Sequence, residues 1–314
     1  MDRVFETPPT AHAASRPALV TRFAPSPTGY LHLGHVVNAV YVWGAGRALG
    51  ARILLRLEDH DRVRCRPDYE RALLEDLDWL GFEPDAGRAP VVRQSDRGPI
   101  YDAALARLRR AAHVYACDCS RRTVGGTRYT GHCRQRGLPE AGASLRVTFD
   151  AGEERADDLG LGALVQDPSA QCGDLLVRDR DGQWTYQFAV TVDDIDQGVD
   201  LVIRGLDLLD STGRQLRLGR LLGRERPPVY LHHPLVHGPD GEKLSKARGD
   251  TGIRELRAAG WRPDEVIGLA ATAVGLIGRP EPLPAASVPG LFDAWAAGLS
   301  TRLRTFWDRI EPPL

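Results

Sequence analysis

The chain has 314 residues, 42 acidic against 41 basic side chains, and a net charge of −1. That length suffices for one large or two modest domains whose core needs no covalent staples. A charge near zero excludes a global nucleic-acid footprint, and the lack of any apolar run of about 20 residues excludes a helical membrane span.

In chain order, residues 1–17 are rich in Ala and Pro, carry Asp2 and Glu6, and lack an apolar signal core, so a flexible tail and a cytoplasmic location are expected. Ala18-Leu19-Val20 then starts a strand. Arg22-Phe23-Ala24-Pro25-Ser26-Pro27-Thr28-Gly29 makes a turn that two prolines and a glycine keep irregular. The apolar spacing Val36, Val37, Ala39, Val40, Tyr41, Trp43 restores a helical period, which Gly50 ends. Arg52 to Leu57 reads as a buried parallel strand, and Pro67 opens a helix through Leu73, Leu74, Leu77 and Leu80 to a stop at Gly81. Strand, helix, strand, helix predicts a βαβ crossover and an open α/β sheet, with ligands at the carboxyl ends of the strands.

Residues 101–112 are expected to form another helix, followed by a cysteine-bearing insertion, and the apolar runs from Leu175 to Ile203 to return the chain to strands. Helical stretches are expected near 252–278 and 291–310. Local arginine patches, Arg121-Arg122 and those from Arg214 to Arg226, offer either an RNA contact or a solvated face.

Three groups of residues carry chemistry. His32 and His35 flank Gly34 at the start of the first helix, where unpaired N–H groups and the helix dipole favour an anion such as a triphosphate. The only lysines of the chain, Lys243 and Lys246, sit in the loop Gly241-Glu242-Lys243-Leu244-Ser245-Lys246. Lysine reaches a phosphate oxygen as a compact point charge where the planar fork of arginine is too broad, so this loop is a candidate phosphate clamp. Finally, Cys117-Asp118-Cys119 and Tyr129-Thr130-Gly131-His132-Cys133 hold three of the five cysteines; Cys65 and Cys172 stand apart. The grouping reads as a zinc knuckle with one vacancy in its tetrahedron. By ligand chemistry alone His132 fills that vacancy; against it, adjacent residues on extended chain diverge, whereas Tyr129 and Cys133 at i and i+4 meet on one helical turn.

His32-Leu33-Gly34-His35 and Lys243-Leu244-Ser245-Lys246, in that order, resemble the two signature motifs of class I aminoacyl-tRNA synthetases. The string from Arg22 to His35, Leu57-Glu58-Asp59, and Leu201 to Thr212 look like the glutamyl-specific branch. The resemblance covers about residues 18–250. It implies an α/β, Rossmann-like catalytic domain: a first half over 18–112, a zinc-binding, acceptor-like insertion over 113–172, a second half with the lysine loop over 173–250, and a short helical C-terminal region over 251–314.

The resemblance further implies L-glutamate contacts at Arg22, Phe23, Ala24, Pro25, Ser26, Glu58, Tyr186 and Arg204, ATP with Mg2+ held by Lys243 and Lys246, and catalysis by His32, His35 and Lys246. A dicarboxylate with one ammonium suits two arginine forks and one carboxylate. For the metal, the resemblance favours Tyr129 beside Cys117, Cys119 and Cys133 as ligands of one structural Zn2+, with His132 as the alternative. Only 68 residues follow Lys246. On that ground the chain looks like the truncated paralogues of glutamyl-tRNA synthetase, monomers that attach glutamate to the queuosine base of tRNA(Asp). The alternatives are a truncated synthetase charging tRNA(Glu) and a non-catalytic tRNA-binding paralogue.

Overall fold

The computed structural model describes residues 19–126, 128–236 and 252–299, without the side chain of Arg121. Two parallel units frame the site. β1 (Val20–Phe23), α1 (Leu33–Ala48), β2 (Arg52–Leu57), α2 (Pro67–Leu80) and β3 (Val92–Arg93) form the first, with β1 and β2 in parallel register from Val20 opposite Arg52 to Phe23 opposite Leu55. The helix expected after Pro67 has the predicted ends: Pro67 stands in its first turn and Gly81 caps it at φ 79°. α1 is apolar nearly all round, and Val36, Val37, Val40, Val42, Trp43 and Ala45 are all buried. Such a helix belongs inside a protein rather than on its surface.

α3 (Gly98–Ala111) leads to β4 (Val114–Cys117), the one-turn α4 (Arg121–Val124) and β5 (Ser144–Val147). Next come the antiparallel hairpin β6 (Glu154–Asp158) and β7 (Gly162–Gln166), α5 (Pro168–Cys172), and β8 (Leu175–Arg178). The second parallel unit contains α6 (Tyr186–Asp196), β9 (Leu201–Gly205), α7 (Ser211–Leu221) and β10 (Val229–His233), with β9 and β10 parallel. It adjoins the first where the Asp200 N–H donates to the Val20 carbonyl at 2.9 Å. α8 (Ile253–Ala258) and α9 (Pro263–Ala273) follow.

Several expectations need correction. The run from Leu175 to Ile203 is not strand throughout, because Tyr186–Asp196 is helix α6. Its Val-rich stretch is buried at Phe188, Ala189, Val190 and Val192, and a helix buried on several sides shows the same apolar density as a strand. The helix expected over 252–278 is broken at Gly260 (φ 85°), with Pro263 opening α9. Residues 293–299 are helical; the rest of the stretch expected to 310, the tail 1–17 and the loop with Lys243 and Lys246 lie outside the described residues. β8 pairs with β5, in the sheet β4-β5-β8, while the β6-β7 hairpin joins β10 and β9.

Among the described residues no helix is long and apolar enough to cross a membrane. The arginines of α7 are partly structural: Arg217 donates to the Gly152 carbonyl at 2.9 Å and pairs with Glu154, and Arg220 meets the same carboxylate.

Candidate functional site

The carboxyl ends of β1, β2 and β9 and the amino ends of α1 and α6 surround one cavity of about 420 Å³. Its walls include Arg22, Ala24, Pro25, Ser26, His32, His35, Glu58, Tyr186 and Arg204, so most of the predicted substrate residues converge there from segments far apart in sequence. Phe23 does not. It is buried in the core with its ring edge-on to Trp43, since alternate strand residues face opposite sides and Arg22 takes the cavity side.

The start of α1 is built from the two histidines themselves. His32 is the N-cap, its Nδ1 accepting the Gly34 N–H at 3.1 Å, while His35 Nδ1 accepts the His32 N–H at 3.1 Å. A neutral imidazole that accepts at Nδ1 carries its proton on Nε2, so this reciprocal cap makes both Nε2 atoms donors. The first turn of α1 itself contains no acidic residue, so the helix's own sequence leaves its positive end open to an anion. Only glycine fits between the histidines: a Cβ on Gly34 would lie 2.9 Å from the His32 ring. Gly252 bridges to His32, and the Ile253 N–H donates to the Leu31 carbonyl at 2.9 Å, so the chain resumes after the lysine loop beside this turn.

Beneath the cavity lies a buried ionic lattice. Arg22 Nε reaches Asp194 at 3.2 Å and its Nη1 donates to the Ile203 carbonyl at 3.3 Å. Arg56, fully buried, contacts Glu58 at 3.1 Å, Asp194 at 2.9 Å and Asp193 at 3.6 Å. Gln94, Arg97 and Tyr101 complete the shell of Asp193. Burial would raise the Asp194 carboxyl, but the Arg22 and Arg56 guanidiniums hold it below the usual range. For Glu58 burial wins, and its carboxyl sits above the ordinary value despite Arg56 and Arg22. Burial, with Glu58 nearby, also pushes up the Tyr186 phenol, keeping it a hydroxyl.

Arg204 is 3% exposed and has a different set of partners. Its Nη1 donates to Gln215 Oε1 at 2.6 Å, Nη2 to Thr212 Oγ1 at 2.8 Å and Nε to His232 Nε2 at 3.0 Å, all neutral acceptors. No carboxylate among the described residues pairs with it directly. Three of its five N–H groups are thereby used, and two remain, the number one carboxylate can accept. His233, whose imidazole burial holds below its ordinary value, and Asn38 line the opposite wall.

Several of these residues were not anticipated. Arg56 interrupts an apolar strand and Asp193-Asp194 an apolar helix, and a charge in such a run is a detectable signal of a buried pair. Which carboxylate meets which arginine is a matter of tertiary contact, as Arg22 and Asp194 lie 172 positions apart.

A second cluster closes the end of β4. The sulfur atoms of Cys117, Cys119 and Cys133 lie within 4.8 Å of one another, a grouping able to hold a metal ion. The Tyr129 hydroxyl lies 3.4 Å from Cys117 Sγ and 3.8 Å from Cys119 Sγ, and accepts the Cys133 N–H at 2.8 Å. His132 is exposed. Tyr129 and Cys133 do not share a helical turn as expected. Tyr129 is extended, bridged to Gly173, and a tight turn through Gly131 (φ 87°) returns Cys133 to it. Three sulfurs and one oxygen converge on one point, a donor set that fits a tetrahedral thiophilic ion.

Residues 18–271 match the profile of the family described as tRNA synthetases class I (E and Q), catalytic domain. The chain belongs to that family. A member from Pseudomonas aeruginosa, the glutamyl-Q tRNA(Asp) synthetase, is 41% identical over 269 residues, covering 82% of this chain and 90% of that protein. Glutamate–tRNA ligase 1 of Acidithiobacillus ferrooxidans is 40% identical over 261 residues, covering 79% of this chain and 55% of that one. A solved glutamate tRNA ligase from Elizabethkingia meningosepticum, in complex with its amino acid, superposes with a TM-score of 0.74 at 25% identity, covering 89% of this chain and 66% of that one. As a class I synthetase, the chain has the catalytic domain of a ligase-type enzyme that uses ATP with Mg2+.

Proposed function

We propose that this enzyme activates L-glutamate with ATP and transfers it to the queuosine base of tRNA(Asp). The observation that carries the activation step is the single cavity that unites Arg22, Glu58, Tyr186 and Arg204 with the His32–His35 helix cap. One glutamate carboxylate meets Arg204, the ammonium faces Glu58, and Arg22 offers a second cation beside Asp194. An oxygen of the α-carboxylate attacks the α-phosphorus of ATP, the bond to pyrophosphate breaks, and glutamyl-adenylate forms. The Nε2–H groups of His32 and His35 and the start of α1 donate to phosphate oxygens as their charge grows, with Lys246 and Lys243 on the same phosphates. A hydroxyl of the modified base then opens the anhydride and releases AMP.

The acceptor assignment is supported by the Pseudomonas relative, whose name specifies tRNA(Asp). A second reading, charging of tRNA(Glu), is favoured by the Acidithiobacillus glutamate–tRNA ligase, 40% identical over 261 residues. Cys117, Cys119, Cys133 and Tyr129 are proposed to hold one structural Zn2+, which supplies folding energy to the insertion and takes no part in the chemistry.

Pyrophosphate exchange with glutamate in the absence of RNA tests the first step. Labelled glutamate is then offered with queuosine-containing tRNA(Asp), unmodified tRNA(Asp) and tRNA(Glu). Labelling of the queuosine-containing RNA alone is expected; charging of tRNA(Glu) sinks the acceptor assignment, and no exchange at all sinks the enzyme reading.

A further inference from the structure

We propose that His232, locked by Asp158 into the tautomer protonated on Nδ1, is the positioning residue that holds Arg204 ready for a glutamate carboxylate. The inference rests on the glutamate reading given above and adds to it a pair of residues that touch no substrate.

Asp158 ends β6 and is 4% exposed. Its Oδ1 accepts the Gly160 N–H at 2.9 Å and the Leu161 N–H at 2.8 Å. Its Oδ2 accepts the His232 backbone N–H at 3.0 Å and lies 2.6 Å from His232 Nδ1. Burial would raise this carboxyl, but the contact with the His232 ring and the backbone bonds from Leu161 and Gly160 hold it below the ordinary range, and a carboxylate so surrounded by donors carries no proton of its own. Nδ1 must therefore be the fourth donor. In a neutral ring that leaves a bare lone pair on Nε2, and the lone pair faces Arg204 Nε–H at 3.0 Å.

Any other state of the ring breaks the contact. A proton on Nε2 would set donor against donor, and a doubly protonated ring would set one cation against another at the same distance. The placement is fixed by the sheet, because His232 and Arg204 are register partners on the parallel strands β10 and β9, and the His232 ring stacks on Tyr230 with an interplanar angle of 8°. The arrangement also explains how a buried guanidinium remains usable. A carboxylate in direct contact would occupy the N–H groups a ligand needs; a carboxylate across an imidazole orients Arg204 and partly offsets its charge while leaving two N–H groups for the substrate.

Two substitutions separate acceptor from scaffold. His232→Asn keeps a donor for Asp158 but lacks an acceptor at the Nε2 position, whereas His232→Gln extends an amide oxygen to about that distance. In glutamate-dependent pyrophosphate exchange, the Asn variant is expected to raise the KM for glutamate about 10- to 100-fold, the effect of one unpaired buried donor, with the KM for ATP changed less than about threefold. The Gln variant should recover glutamate affinity to within about threefold of wild type. An unchanged glutamate KM in the Asn variant, or equal rises for glutamate and ATP in both variants, overturns the inference. A long-range 1H–15N spectrum of the wild-type protein needs no variant to fold: a proton on Nδ1 with a bare Nε2 supports the lock, and a proton on Nε2 overturns it. Wild-type protein without glutamate-dependent exchange overturns the functional reading and this inference together; exchange with either contrary result overturns this inference alone.

Discussion

At the scale of single residues, the site works by setting buried charges against one another until a few cations remain for the ligand. Glu58 shows the consequence. Burial raises its carboxyl above the ordinary 4.5, with Arg56 3.1 Å away opposing the shift. In the proposed ammonium role only the ionised form attracts the substrate. Hence kcat/KM for glutamate is full above the raised value and falls as pH drops through it, so the acid limb of pyrophosphate exchange should lie above pH 4.5. A profile flat to that pH, with circular dichroism confirming an intact fold, would remove Glu58 from the ammonium role. That Arg22, His32, His35, Glu58 and Arg204 belong together was legible in the sequence, from helix-start chemistry for the histidines and from motif resemblance for the others, and all five line one cavity. Arg56, Asp194 and His232 were not legible, since their roles arise from partners 28 to 172 positions away that only the fold brings near.

At the scale of elements, turn and cap chemistry was the most readable part of the sequence, and apolar density the least. Pro67 and Gly81 delimit α2 as expected, because proline and glycine restrict the backbone directly. α6 escaped notice as a helix because burial on several sides erases the period that separates helix from strand. The seam between α2 and α8 carries a testable strain. Asp76 on α2 is 4% exposed, and its Oδ2 has no hydrogen-bond partner among the described residues. Burial pushes this carboxyl up to about 6, with Arg257 opposing and Glu75 and Glu255 adding to the rise. A folded value above the unfolded 3.8 means that the stability associated with its proton is fully present below pH 3.8 and lost as pH rises through 6. Asp76→Asn removes that loss. It should stabilise the protein by on the order of 1–3 kcal/mol at pH 8, with a smaller gain at pH 5, in thermal melts. A variant less stable than wild type at pH 8 would mean that the ionised carboxylate has a favourable partner after all.

At the scale of the whole molecule, the cysteine cluster and the glutamate cavity belong to different packing units. Tyr115, Cys117, Tyr129 and Cys133 form a small core of their own, while α1, β1, β2 and β9 share the main one. The cluster sits on β4 of the sheet β4-β5-β8, and β8 hands the chain to α6, whose Asp193 and Asp194 anchor Arg56 and Arg22. A core of so few side chains buries little apolar surface, so the proposed zinc would supply much of its folding energy, whereas the ionic lattice is tied to the main core by β1 and β2. Metal loss should therefore separate the two half-reactions. Purified protein is expected to hold one zinc per chain by elemental analysis, and Cys133→Ala or a strong chelator to remove it. Transfer of glutamate to RNA should then fall on the order of tenfold or more, while glutamate-dependent pyrophosphate exchange changes less than about threefold. If exchange collapsed in step with transfer, the insertion and the cavity would form one cooperative unit through β8 and α6. If the protein held no metal as purified, the three thiols and Tyr129 would have to be read as ordinary packing.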